Sequence, residues 1–161
     1  MQESRKNEYI ELVQQHAGII HKVIGLYVDN AEDKKDLHQE ILLQSWKSFQ
    51  NFKGKSSFST WLYKVALNTV LNYHKSQKKH EELKQMKEES TYGEQKENHE
   101  VLYHIIKSFN QIDRMLISLH LEGYKNLEIA EITGMTSNHI NVKIHRLKDK
   151  IVEQFKKMNN G

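Results

Sequence analysis

The chain has 161 residues, with no proline, no cysteine and seven glycines, and 24 Lys and Arg against 21 Asp and Glu give it a formal charge of +3. Without cysteine there is no disulfide, no thiolate metal site and no cysteine nucleophile. No apolar run approaches the ~18–20 residues of a membrane span, and the polar start MQESRKNEYIE does not fit a signal peptide, so a cytoplasmic protein without membrane insertion is expected. The missing helix breakers and the abundance of Leu, Ile, Lys, Glu and Gln point to an all-α chain, of a length that suits one domain or two small ones.

The first apolar period runs through Tyr9, Leu12, Val13, Ile19, Ile20, Val23, Ile24 and Tyr27, at the spacings of one helix face. Gly18 and Gly25 lie inside this helix, either for close packing or as bends. After a polar break over residues 28–33, a second helix starts between Glu32 and Asp36, its acids suiting the positive end of the helix dipole. Leu37, Ile41, Gln44 and Ser48 form one stripe on it, and Leu42, Trp46 and Phe49 another. The segment NFKGKSS, Asn51–Ser57, is a loop centred on Gly54, and Ser57 is placed to cap a third helix. Phe58, Trp61, Leu62, Val65, Ala66 and Thr69 mark that helix's inward face. Tyr63, Lys64, Leu67, Asn68, Leu71, Asn72 and Lys75 fall elsewhere on it, with Asn68, Asn72 and Lys75 sharing one side.

From Lys75 to Glu100 charges of both signs replace apolar residues. This is either a mobile tether or a charged surface helix held by Glu–Lys pairs. An apolar period then resumes through Leu102, Ile105, Ile106 and Phe109, and again through Ile112, Leu116 and Leu119 to a glycine stop at Gly123. Asn126 is placed to cap the helix LEIAEIT, which stops at Gly134. Thr136 or Ser137 is placed to cap a last helix reaching about Met158, with Ile140, Ile144, Leu147 and Ile151 inward.

Two constellations stand out. Residues 41–80 contain no Asp or Glu, yet hold seven lysines and seven of the chain's fourteen Trp, Tyr and Phe. Lysine attracts phosphate and exposed rings stack on unpaired bases, so the composition suits a single-strand surface, as it also suits a solvated basic helix over an aromatic core. Residues 126–150 have the plan of a helix-turn-helix, whose second helix enters the major groove. Its outward residues Ser137, Asn138, His139, Asn141, Lys143, Arg146 and Lys148 include the types that pair with base edges and phosphates. The ten histidines form no HExxH arrangement. No metal, cofactor or catalytic residue is expected.

The two constellations, in this order and joined by a charged segment, resemble the extracytoplasmic-function (ECF) group of bacterial RNA polymerase sigma factors. The motifs that carry the resemblance are DLHQEILLQSW (Asp36–Trp46), FKGKSSFSTWLYKVALN (Phe52–Asn68) and LHLEGYKNLEIAEITGMTSNHINVKIHRLK (Leu119–Lys148). It implies two small helical domains, sigma region 2 over residues 1–79 and region 4 over 101–158, joined by a charged flexible linker at 80–100. It implies that Asp36, Leu37, Gln39, Glu40, Leu43, Gln44 and Trp46 dock on the beta-prime clamp helices of core RNA polymerase. It assigns the minus-ten promoter element to Asn51, Phe52, Lys53, Gly54, Lys55, Ser56, Ser57, Ser59, Thr60, Trp61, Tyr63, Lys64, Asn68, Asn72 and Lys75. The loop captures a flipped base in that assignment. The minus-thirty-five element falls to Thr136, Ser137, Asn138, His139, Asn141, Lys143, His145, Arg146 and Lys148, and region 4 also touches the beta flap.

Three positions depart from the family pattern. Asn72 stands where Asp is usual, Asn110 where Pro is usual, and Asn141 where Lys is frequent. Fewer cations on the last helix predict weaker phosphate anchoring, which leaves a role for an additional DNA-bound recruiting factor. An anti-sigma factor is a further partner the resemblance suggests. Two other classes remain at this level: a stand-alone helix-turn-helix regulator, and an interaction protein that binds RNA through residues 41–80.

Overall fold

The computed structural model describes residues 2–81 and 98–159, with side chains over 2–76 and 100–159. The tether expected over 80–100 lies, apart from its two ends, outside the described residues. The chain divides into two compact units, Met1–Met86 and Lys87–Gly161. Among the described residues there are eight helices and no strand, and no helix is long and apolar enough to cross a membrane.

The first unit holds α1 (Gln2–Gln15), α2 (Ala17–Tyr27), α3 (Ala31–Phe49) and α4 (Phe58–Glu81). The single helix expected over residues 9–28 is two helices, and the first begins earlier. The break falls at His16, whose backbone leaves the helical region at φ −115°, ψ 19°. Its ring Nδ1 lies 2.8 Å from the Leu12 carbonyl, which also accepts from the His16 backbone amide at 3.1 Å, so His16 closes the last turn of α1 with both its backbone and its side chain. Gly18 has open space where a Cβ would stand, so it is not a site of close helix approach. Asn30 caps α3 by accepting from the backbone N–H groups of Glu32 and Asp33 at 2.8 and 3.2 Å.

α4 packs against both α2 and α3, and that explains a second departure. Two neighbours bury a wider arc than one face, so Tyr63, Leu67 and Val70 join Leu62 and Ala66 in the core with Ile20, Val23, Leu37, Ile41 and Phe49.

The second unit holds α5 (Asn98–Ser108), α6 (Gln111–Leu121), α7 (Asn126–Thr133) and α8 (Ser137–Asn159). α5, α6 and α7 all pack on α8, around Ile105, Leu116, Ile117, Leu119, Ile129, Ile140, Ile144 and Leu147. Gly123 ends α6 at φ +93°, with the Gly123 and Tyr124 amides returning to the His120 and Leu119 carbonyls at 3.0 and 3.1 Å. Ile112, expected on the apolar stripe, stands exposed instead. Asn110 is the N-cap of α6 and accepts from the Asp113 amide at 2.9 Å.

Candidate nucleic-acid interface

The loop between α3 and α4 is held from both ends. Ser57 caps α4, its Oγ accepting from the Thr60 amide at 3.2 Å and donating to the Thr60 hydroxyl at 3.0 Å. Gly54 turns the loop at φ +73°, a conformation that glycine adopts without strain. At the other end Arg5, from α1, donates through Nη2 to the Phe49 and Phe52 carbonyls at 2.9 and 2.8 Å. Its guanidinium also lies 4.3 Å from the centre of the Phe49 ring. Arg5 thereby bridges the last carbonyl of α3 and a carbonyl of the loop, and opposes the negative end of that helix.

Behind the loop, Phe49, Phe52, Phe58 and Trp61 meet in stacked, tilted and edge-on pairs with centroids 5.1–6.1 Å apart. Phe49 and Phe58 are buried, whereas Phe52 and Trp61 are half-buried at the rim. In front of this cluster is an open cavity of about 570 Å³ lined by Ser48, Asn51, Phe52, Lys53, Lys55, Ser56 and Trp61. It offers amide and hydroxyl groups, two ammonium groups and two ring surfaces, and no carboxylate lines it. That chemistry suits a base displaced from a duplex together with its phosphate.

The residues expected at the minus-ten element separate into three places. Asn51, Phe52, Lys53, Lys55, Ser56 and Trp61 line the loop cavity, with Gly54, Ser57 and Ser59 beside them in the loop and the first turn of α4. Lys64, Asn68, Asn72 and Lys75 are exposed along α4. Asn68 and Asn72 line a different cavity of about 610 Å³, shared with Asp36, Glu40 and Gln44 across from α3. Thr60 is buried, and Tyr63 is only 1% exposed. Both side chains thus lie in the core of the first unit, apart from the exposed surface that the other expected contacts share.

On α3, Asp36, Gln39, Glu40 and Leu43 are exposed, the last by 46%. Gln44 donates to the Glu40 carboxylate at 2.8 Å. Leu37 is 1% exposed and belongs to the core, not to the outer face. Trp46 is half-buried against Tyr9, with ring centres 5.1 Å apart. The Tyr9 hydroxyl donates to the Leu42 carbonyl at 2.9 Å and shares a 2.6 Å bond with the Ser45 hydroxyl. Burial raises the Tyr9 phenol above its usual 10.0, against the opposing pull of Ser45, so it stays a neutral donor tying α1 to α3.

α7, the turn and α8 form the expected helix-turn-helix. Gly134 ends α7 at φ +78°, its amide returning to the Ala130 carbonyl at 2.8 Å. Thr136, rather than Ser137, caps α8 by accepting from the His139 amide at 3.2 Å. Asn126 does not cap α7; Lys125 takes that position without a side-chain bond, and the Asn126 side-chain amide instead reaches Oδ1 of Asn141 at 3.5 Å. Asn138, His139, Asn141, His145, Arg146 and Lys148 are exposed, and Ser137 is half-buried. Lys143 differs from them: its Nζ lies 3.0 Å from Oδ1 of the buried Asp113.

Sequence reasoning missed Arg5 and Asp113. For Arg5 the readable signal is spacing, since Arg5, Tyr9 and Leu12 fall four and three apart and extend the first helix face upstream.

Residues 12–80 match the family described as sigma-70 region 2. The chain is also 28% identical over 152 residues to the ECF RNA polymerase sigma-E factor of Escherichia coli, covering 81% of this chain and 79% of that one. Residues 12–80 thus carry a sigma-70 region 2, and over most of its length the chain is similar to ECF sigma factors. It is also 39% identical over 56 residues to the RNA polymerase sigma-H factor of Pseudomonas aeruginosa, covering 33% of this chain and 29% of the relative. It thus spans less than a third of that relative's length. Its fold is similar to that of a Bartonella quintana sigma factor solved in complex with an anti-sigma factor, with a TM-score of 0.73, 16% identity, and coverage of 94% of this chain and 96% of that one. Arg5 lies ahead of the segment that matches region 2.

Proposed function

We propose that this chain is a promoter-specificity subunit: it binds core RNA polymerase, directs it to particular promoters and helps open the minus-ten element. The observation that carries the reading is the carboxylate-free cavity of the α3–α4 loop, with Lys53, Lys55, Asn51, Ser56 and the rim of Trp61 around it. A base leaving a duplex costs a few kcal/mol, and the ring and polar contacts of such a pocket offset it. The exposed Asp36, Gln39, Glu40 and Leu43 face supports docking on the clamp helices of the beta-prime subunit. The exposed amides and cations of α8 support reading of the minus-thirty-five element in the major groove, with the second unit also touching the beta flap.

Phosphoryl transfer stays with the polymerase, and this chain acts in the cytoplasm as its selector without a catalytic group of its own. An anti-sigma factor that covers the α3 and α8 faces would hold it inactive. The test is transcription of genomic fragments by core polymerase with and without the purified chain, with footprinting of the same complexes. Start sites that require the chain, with protection at both elements, support the proposal. Duplex binding without polymerase, and no complex with core, overturn it.

A further inference from the structure

Lys143 stands among the reading residues of α8, yet it lies three positions after the buried Ile140 and four before the buried Leu147. That spacing puts it at the edge of the inward face. Its Nζ is 3.0 Å from Oδ1 of Asp113 in α6, with side-chain exposures of 35% for the lysine and 12% for the aspartate. The other Asp113 oxygen, Oδ2, accepts from the Asn110 side-chain amide at 3.0 Å, while Asn110 Oδ1 accepts from the Asp113 backbone at 2.9 Å. The carboxylate therefore sits in the first turn of α6, favoured by the helix dipole and bonded on both oxygens.

We infer that Lys143 is a positioning residue, whose bond to Asp113 fixes the rotation of α8 against α6 and so sets which side chains α8 presents to DNA. The inference rests on the proposal that the second unit reads duplex DNA. Two physical points carry it. A lysine 3.0 Å from a carboxylate is already neutralised, so it releases no counterion when DNA arrives. If Nζ left for a phosphate, Asp113 would keep a largely buried charge without its cation, which is the costly way to break such a pair. Rotation of α8 matters because Asn138, His139, Asn141, His145 and Arg146 are distributed around Lys143 on the same helix. A few degrees of rotation carry an amide past hydrogen-bonding distance of a base edge.

The test measures binding of the assembled polymerase, carrying the full chain, to promoter fragments with a matched or a scrambled minus-thirty-five element across a salt series. The variants are Lys143→Met, Asp113→Asn and Lys143→Arg, and amide hydrogen exchange over α8 checks that each is folded. The expected result is that Lys143→Met and Asp113→Asn each lower the matched-to-scrambled ratio roughly two- to tenfold, the range for one coupled part-buried pair. Their salt slopes stay parallel to the parent's, and Lys143→Arg restores the ratio.

A phosphate-binding role predicts the opposite pattern and overturns the inference: Lys143→Met flattens the slope by about 0.9, while Asp113→Asn frees the lysine and tightens binding. Unchanged ratios in folded variants of lowered stability also overturn it, because the pair would then only hold the fold together. If the parent shows no preference for the matched element, the DNA-reading proposal fails and the positioning role falls with it. A discriminating parent with equally discriminating variants sinks the positioning role alone.

Discussion

Replacing Arg5 by alanine removes two charged donors and a ring contact from the end of α3. The bonds to the Phe49 and Phe52 carbonyls measure 2.9 and 2.8 Å, and the guanidinium sits 4.3 Å over the Phe49 ring. A hydrogen bond from a charged donor contributes about 1.5 kcal/mol, and an exposed cation–ring contact about 0.5 kcal/mol. The Arg5 side chain is 37% exposed, so water replaces part of this. The expected loss is about 2 kcal/mol, confined to the first unit. The chain's two tryptophans, Trp46 and Trp61, both belong to that unit, so their fluorescence reports its unfolding alone. In urea the midpoint should fall by about 1–2 M. Arg5→Lys keeps the charge but not the planar guanidinium that lies over the Phe49 ring, and should recover about half of the loss. A loss below about 0.5 kcal/mol for Arg5→Ala, the range of an uninvolved surface change, refutes the claim that Arg5 holds the loop.

Charge reversal at Asp36 and Glu40, both exposed on α3, should weaken binding to core polymerase by tenfold or more, on the order of one to two charge pairs, while tryptophan fluorescence and melting stay unchanged. Equal affinity contradicts the docking face. Lys53→Ala with Lys55→Ala should lower the salt slope for a fork carrying an unpaired minus-ten strand by roughly 1.4, or about 0.7 for each phosphate left without its lysine; an unchanged slope places the strand elsewhere. Burial, and then its stacked neighbour His21, holds the His38 imidazole below its usual 6.5. The unfolded chain therefore takes up that proton first on acidification. The contribution is fully present above about pH 6.5 and is lost as pH falls through the folded value. Unfolding of the first unit should grow easier over that descent, and His38→Gln should flatten the dependence; a variant with the parent's pH profile refutes the assignment.

Local chemistry made several features readable from sequence. Ser57, Gly54, Gly123 and Gly134 act within a few residues of themselves, and each cap or turn forms where its residue type requires it. The inward stripe of α8 was readable because α8 turns one face toward its neighbours, burying Ile140, Ile144 and Leu147. α4 is packed from two sides, so a one-face reading placed Tyr63 and Leu67 outside when both are core. The partners of Arg5 and Lys143 could not be read in advance. Arg5 meets carbonyls 44 and 47 residues away, and Lys143 meets Asp113 across 30 residues. Neither partner leaves a periodic trace. Lys143 in particular was assigned to phosphate from its type and helix, and only the position of Asp113 shows where its charge is held. The split of the residues expected at the minus-ten element between two cavities was hidden for the same reason, since α4 turns Asn68 and Asn72 toward α3 and away from the loop.

The chain is held to open promoter DNA only as part of the polymerase, through the α3–α4 loop. Permanganate reactivity of thymines at a mapped minus-ten element tests this most directly. Reactive, unpaired thymines are expected when core polymerase and the chain are both present, none with either alone, and weakened reactivity when Lys53 and Lys55 are replaced by alanine. Opening by core polymerase without the chain, or closed DNA with both bound at the promoter, would contradict it.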